Sequence, residues 1–199
     1  MPDLPRARLS PEDRRAQLVA AGVNFLAEHP LDELTMDVLA QRAGVSRPLL
    51  FHYFDTRQGM HLAVVTTARD SLLQASEPRP ELEPRARIRD TLQRITEFVR
   101  QHKSTFHSLV RGIASGDPAV RRVVDESREL NADRLLEAFT ELGTPDTPAL
   151  RVALRAWVSF TEETLISLVI ERDADSDDVV RFLETTLNGV VAATAELQI

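Results

Sequence analysis

Apolar positions recur at three- and four-residue intervals along most of this chain, the spacing that gathers them on one side of an α-helix. Leu18, Ala21, Gly22 and Phe25 make the first stripe. Ahead of it, Ser10-Pro11-Glu12-Asp13 reads as a helix start, with a capping hydroxyl, a first-turn proline and acids at the positive helix end. Two short helices follow. Thr35 can cap the first, Val38, Leu39 and Ala43 give it an apolar side, and Gly44 ends it in the left-handed conformation glycine tolerates. Ser46 caps the second, with Pro48 in its first turn. Asp55 or Thr56 caps a fourth helix that carries Met60, Val64, Thr67 and Leu72 to about Ala75. Three prolines within residues 78–84 then forbid a continuous helix.

Past that break, Ile88, Leu92, Ile95, Phe98, Val99 and His102 predict a fifth helix. Phe106, Leu109, Val110 and Ile113 predict a short sixth, and Gly116-Asp117-Pro118 a stop and restart. A seventh helix runs to about Leu142 and ends at Gly143, and an eighth starts at residues 144–148 and reaches about Arg172. The acidic run 173–178 caps a ninth, with Val179, Leu183, Leu187, Val190 and Val191 on one face and Thr194 continuing the row. No strand pattern or internal repeat stands out. The expected fold is all-α, about nine helices, divided into residues 1–56, a connecting helix 57–75 and a second unit 76–199.

Leu165, Ile166, Leu168, Val169 and Ile170 nearly ring the end of the eighth helix, and a helix apolar on several sides is buried on several sides. Gly189, Ala192 and Ala193 would let another backbone approach the ninth. Two readings fit. Both helices are core, or Leu165, Leu168, Val169, Leu183, Leu187, Val190 and Val191 form half of a four-helix homodimer interface.

Composition narrows the function. A chain of 199 residues can bury a real core, as one large domain or two small ones. The absence of cysteine excludes disulfides, thiolate zinc sites and a cysteine nucleophile, and suits a reducing cytoplasm. The polar N-terminus has no apolar signal core, and Arg155, Glu162 and Glu163 interrupt the longest apolar run, 152–170, so no membrane span is expected. No Glu-x-x-His pair, glycine-rich phosphate loop or nucleophile elbow occurs, and His102 and His107 fall on different sides of a helix. Catalysis, a metal and a cofactor are therefore not expected. Net charge is −7, which opposes DNA binding in bulk. Residues 42–57, however, hold Arg42, Arg47 and Arg57 against Asp55 alone, so a small basic face on an acidic body is expected.

Residues 34–54 have the layout of a helix-turn-helix, whose second helix can enter the DNA major groove. The leading helix 17–27, the Leu34-Thr35 start, Leu39-Ala40, Ala43-Gly44-Val45-Ser46 and residues 50–57 resemble the tetracycline-repressor (TetR) family of transcriptional regulators. The resemblance covers about residues 17–60 and is only architectural beyond 75. It departs from the family at Phe51, where tyrosine is common, at Arg57 for lysine, at Pro30 for glycine and at Gly59 for an acidic residue.

Helix N-termini favour anions, so Thr35 and the free N–H groups beside it suit a phosphate. The resemblance adds Tyr53 and Arg57 as backbone-holding positions. Without DNA the same residues read as a cap, a packed ring and a solvated charge. Base reading falls to the outer side of residues 46–52. Arg47 can pair guanine O6 and N7, Ser46 and His52 can bond base edges, and Leu49 can meet a thymine methyl. Arg47 as a phosphate ligand and His52 as a spacer are the plainer roles. Leu50 and Phe54 point inward, to Phe25 and Leu39.

The resemblance also implies a small-molecule effector pocket in the C-terminal helices. Polar or aromatic residues on apolar stripes are its candidates: His102, Phe106, His107, Trp157, Thr161 and Glu163. Aromatic content of 5% suits an aliphatic or acyl-chain ligand better than stacked rings. The expected function is a ligand-responsive DNA-binding regulator, a repressor that holds a palindromic operator as a dimer and is released by its effector. The alternative is a dimeric helical interaction module without sequence-specific DNA binding.

Overall fold

A computed structural model describes residues 9–111 and 117–195, and among these the chain is helical without strands. The helices are α1 (Pro11–Leu26), α2 (Met36–Ala43), α3 (Arg47–Phe54), α4 (Arg57–Ala75), α5 (Pro84–Gln101), α6 (Lys103–Arg111), α7 (Pro118–Glu141), α8 (Pro148–Thr164) and α9 (Ser176–Thr194). Ile113 and Gly116 lie outside the described residues.

Most ends form where the chain's own punctuation puts them. The Ser10 hydroxyl accepts from Asp13 N–H, Thr35 from Val38, Thr56 from Gly59 and Thr147 from Leu150, each satisfying one orphan donor of a first turn. Gly44 ends α2 at φ 64°. Two features have no sequence signal. A 3-10 turn, Leu31–Glu33, leads into α2, and α8 continues as a π-helical turn, Leu165–Ile170, instead of running on as regular helix to Arg172. Glu171 N–H reaches back to the Ile166 carbonyl there, the five-residue closure that widens a helix.

Two clusters of buried apolar residues hold the chain. The first joins α1–α4, with Leu18, Phe25, Leu39, Leu50, Phe54 and Met60 at its centre. It also takes Leu109 from α6 and Val120 and Val123 from α7. The second joins α5, α7, α8 and α9 around Leu92, Val99, Leu136, Leu154 and Trp157. Leu72, near the end of α4, packs against both.

The second cluster takes up the expected dimer residues within the single chain. Leu165, Val169, Leu183 and Leu187 are at most 2% exposed within the single chain, and Leu168, Val190 and Val191 pack against the same cluster. Their stripes face α5, which packs on α9 and on the π turn. The outer faces of the pair carry other residues: Val152, Ala156 and Phe160 on α8, and Phe182, Gly189, Ala192 and Ala193 on α9. Phe160 and Phe182 are 41% and 45% exposed, with ring centroids 6.0 Å apart.

Candidate nucleic-acid interface and inner cavity

Leu50 and Phe54 anchor α3 in the first cluster, at 0% and 5% exposure. That fixes the rotation of the helix. Ser46, Arg47 and His52 are turned to solvent, Leu49 is half-buried, and Phe51 is exposed. The Ser46 hydroxyl makes no capping bond and is free for another partner. Tyr53 is half-buried against the cluster, its ring edge-on to His52 at 5.2 Å.

The basic face is more neutralised than the residue count implies. Arg47 lies 3.3 Å from Asp37 of α2 and over the Phe51 ring. Arg42 donates to Glu28 at 2.9 Å, and its hydrogen bond and charge hold that carboxyl below the usual range. Arg57, though exposed, bends back onto the backbone before α2: Nε donates to the Leu34 carbonyl at 3.3 Å and Nη2 to that of Asp32. Arg57 thus braces the segment leading into α2. The pairs of Arg42 and Arg47 are exposed, worth about 0–1 kcal/mol each, so a phosphate or base can displace them at small cost.

His61, one turn further along α4, is buried, and Nε2–H donates to the same Leu34 carbonyl at 2.7 Å. Burial lowers its pKa, opposed by that hydrogen bond, with the Arg57 charge lowering it further. The imidazole and the guanidinium together tie α4 to the start of the helix-turn-helix.

In the second unit a cavity of about 120 Å³ lies among α4, α5, α6, α7 and α8. Leu72, Ile88, Leu92, Phe106 and Leu165 supply apolar wall, and Trp157 a ring. Trp157 Nε1–H donates to Thr186 Oγ1 on α9 at 3.1 Å, which orients the indole. The Thr161 hydroxyl, also on the wall, is buried with no partner among the described residues. Next to it, Arg128 Nε and Nη2 both donate to Glu162 Oε2, at 2.9 and 2.7 Å. Burial pushes the Glu162 carboxyl up, and Arg128 pulls it back.

The comparisons fit this geometry. Residues 18–64 match the family model described as "Bacterial regulatory proteins, tetR family". Residues 84–188, more than half the chain, match "Tetracyclin repressor-like, C-terminal domain". The chain belongs to the TetR family.

Individual relatives are more distant. The transcriptional activator FasR of Mycolicibacterium smegmatis is 25% identical over 135 residues, which is 67% of this chain and 62% of FasR. The transcriptional regulator EthR of Mycobacterium tuberculosis is 34% identical over 77 residues, 37% of this chain and 36% of EthR. The matches therefore span less than two thirds of either relative. A TetR-family regulator from Streptomyces coelicolor superposes with a TM-score of 0.79 at 26% identity, covering 94% of this chain and 84% of that one.

Within this TetR-family frame the expected cavity residues divide. Phe106, Trp157 and Thr161 line the cavity. His102, His107 and Glu163 do not. The α5 helix lines the cavity with Ile88, Leu92 and Ile95 and ends at Gln101; His102, its cap, lies beyond that segment, exposed with its ring against Phe98. His107 and Glu163 sit one and two residues beyond inward-facing Phe106 and Thr161, a rotation of about 100° per residue that carries them to the exposed side. The wall instead uses Arg87 and Thr91 of α5 and a stripe of α7, Val124, Ser127, Asn131, Arg134 and Ala138. That stripe keeps helical spacing, but its polar members disguise it as a solvent face. Among the described residues no helix is long and apolar enough to cross a membrane.

Proposed function

We propose that this chain is a cytoplasmic DNA-binding transcriptional repressor that acts as a homodimer and leaves its operator when a small molecule fills the inner cavity. The observation that carries this is the outer side of α3. Ser46, Arg47 and His52 face solvent together while Leu50 and Phe54 lock the helix to the core. A short rigid helix with a guanidinium, a hydroxyl and an imidazole on its free side is built to meet base edges. The capped start of α2, with Thr35, supplies a phosphate site beside it.

Dimerisation in this reading uses the outer faces of α8 and α9, with Phe160 and Phe182 at its centre, and no residue of the inner stripes. Residues 1–56 are the reading head, 57–75 the connecting helix and 76–199 the effector and dimer unit. Coupling follows from packing. Leu109, Val120 and Val123 of the second unit sit in the first cluster, and α4 touches both. An occupant that shifts α6 or α7 moves α4 and with it the spacing of two α3 helices, provided it binds one arrangement more tightly. One relative is named an activator, and a reporter gene under the operator reads the sign directly.

The test is a mobility-shift series on single-base variants of the bound fragment. Arg47→Ala is expected to relax preference at one position per half-site, removing about 1–3 kcal/mol of discrimination there. Tyr53→Phe is expected to weaken every variant alike. An Arg47→Ala protein that weakens all variants equally removes the base-reading role. No shift of any fragment at low salt leaves the chain an interaction module.

A further inference from the structure

We propose that the inner cavity takes an amphiphile with an anionic head group, its carboxylate held between Arg87 and Arg134 and its aliphatic tail lying along α7 toward Trp157. The inference rests on the cavity being the effector site and adds the chemistry of the occupant. The apolar walls suit a tail. The α7 stripe from Val124 to Ala138 is about 21 Å long at helical rise, faced by Ile88, Leu92 and Ile95 of α5.

The two ends of that stripe differ in charge. At the Trp157 end, Arg128 and Glu162 neutralise each other. At the other end the pairing is incomplete: Arg87 has a carboxylate partner, and Arg134 has none among the described residues. Arg87 donates through Nη2 to Glu141 of α7 at 2.6 Å, and Arg87 and Arg134 both line the cavity. Its Nε–H is buried and has no acceptor among the described residues. Arg134 is half-buried, and among the described residues no carboxylate lies within salt-bridge distance of it. Among the described residues its side chain makes one hydrogen bond, a long one of 3.5 Å from Nη1 to Asn131 Oδ1. Burial lowers the pKa of this guanidinium, and the charge of Arg94 lowers it further, against the pull of Glu77. Glu137 also lines the cavity, but it is exposed, so water screens its charge.

A buried N–H without an acceptor and a half-buried guanidinium without a counter-ion are both unfavourable, and one carboxylate answers both with charge-assisted hydrogen bonds. A neutral head group leaves Arg134 unmatched, and a cationic one adds repulsion. Arg128 precedes Arg134 by six residues, about 9 Å of rise along α7, so the head group does not compete with the Arg128–Glu162 pair.

The chain has one tryptophan, and it lies on the cavity wall, so its emission reports occupancy. Titration of the whole chain at neutral pH with octanoate, 1-octanol and octylamine isolates the head group on a constant tail. Octanoate is expected to bind about tenfold or more tightly than 1-octanol, the worth of one charged hydrogen bond, with octylamine weakest. Arg134→Gln is expected to bring octanoate and octanol near parity, with an unchanged thermal melt of the variant certifying the fold. The proposal is overturned if octanol equals octanoate in the unmodified protein, if octylamine binds tightest, if no probe alters Trp157 emission, or if Arg134→Gln keeps the full preference. Mobility shift without any probe tests the regulator reading separately, so a negative titration beside intact DNA binding sinks only the ligand class.

Discussion

Arg47 shows how one side chain can be both held and available. Its ion pair with Asp37 and its place over Phe51 pre-orient the guanidinium at the solvent edge of α3, yet both contacts are exposed enough to be given up. His61 is the opposite case. It is buried, bonded and set against protonation, so the unfolded chain takes up a proton before the folded one does. A histidine with a lowered folded-state pKa contributes fully above its ordinary value of 6.5, and that contribution is lost as pH falls from there toward the folded value. Stability to urea is therefore expected to fall between pH 7 and pH 5, and to fall less in His61→Gln, which retains a donor for Leu34. Equal pH slopes for the two proteins would remove His61 from this role. Ser10, Thr35, Gly44 and the inward pair Leu50 and Phe54 were legible because each obeys a local rule. Arg57 was not: a charge in a first helical turn looks solvated, and only the folded path of residues 32–34 brings carbonyls to it.

Between elements, the angle of α3 depends on two glycines. Gly44 turns the chain at φ 64° with open space around it. Gly59 is needed for closeness: a Cβ there would stand 2.3 Å from the Phe54 carbonyl oxygen, where α3 meets α4. Gly59→Ala is expected to destabilise the protein by about 1–3 kcal/mol, as backbone must move, and to weaken DNA binding by displacing α3. A variant with unchanged melting and unchanged mobility shift would show that the junction yields freely. Helix count and most helix limits were legible from stripes and caps. The end of α8 was not, because the π turn answers to packing on α5 and not to a local motif. The α8–α9 pattern left two readings open, because strong apolar stripes report burial but not whether the partner is the same chain. Here the stripes are core, and the weaker outer row of Val152, Phe160 and Phe182 is left exposed.

For the whole molecule, an acidic body and a nearly neutralised reading surface make a single unit a poor DNA ligand, so affinity has to come from two units acting together. In the proposed dimer, joined through the outer faces of α8 and α9, α3 would be presented twice with two-fold symmetry, and symmetry in the protein demands symmetry in the site. The most direct measurement is selection of bound sequences from a random DNA pool, run in parallel with the natural chain and Phe182→Glu, a change at an exposed position that puts charge on the proposed interface. The natural chain is expected to enrich an inverted repeat with half-site centres a whole number of helical turns apart, and Phe182→Glu to enrich nothing under the same conditions. Enrichment of a single asymmetric motif, recovered equally by both proteins, would contradict a paired reading head.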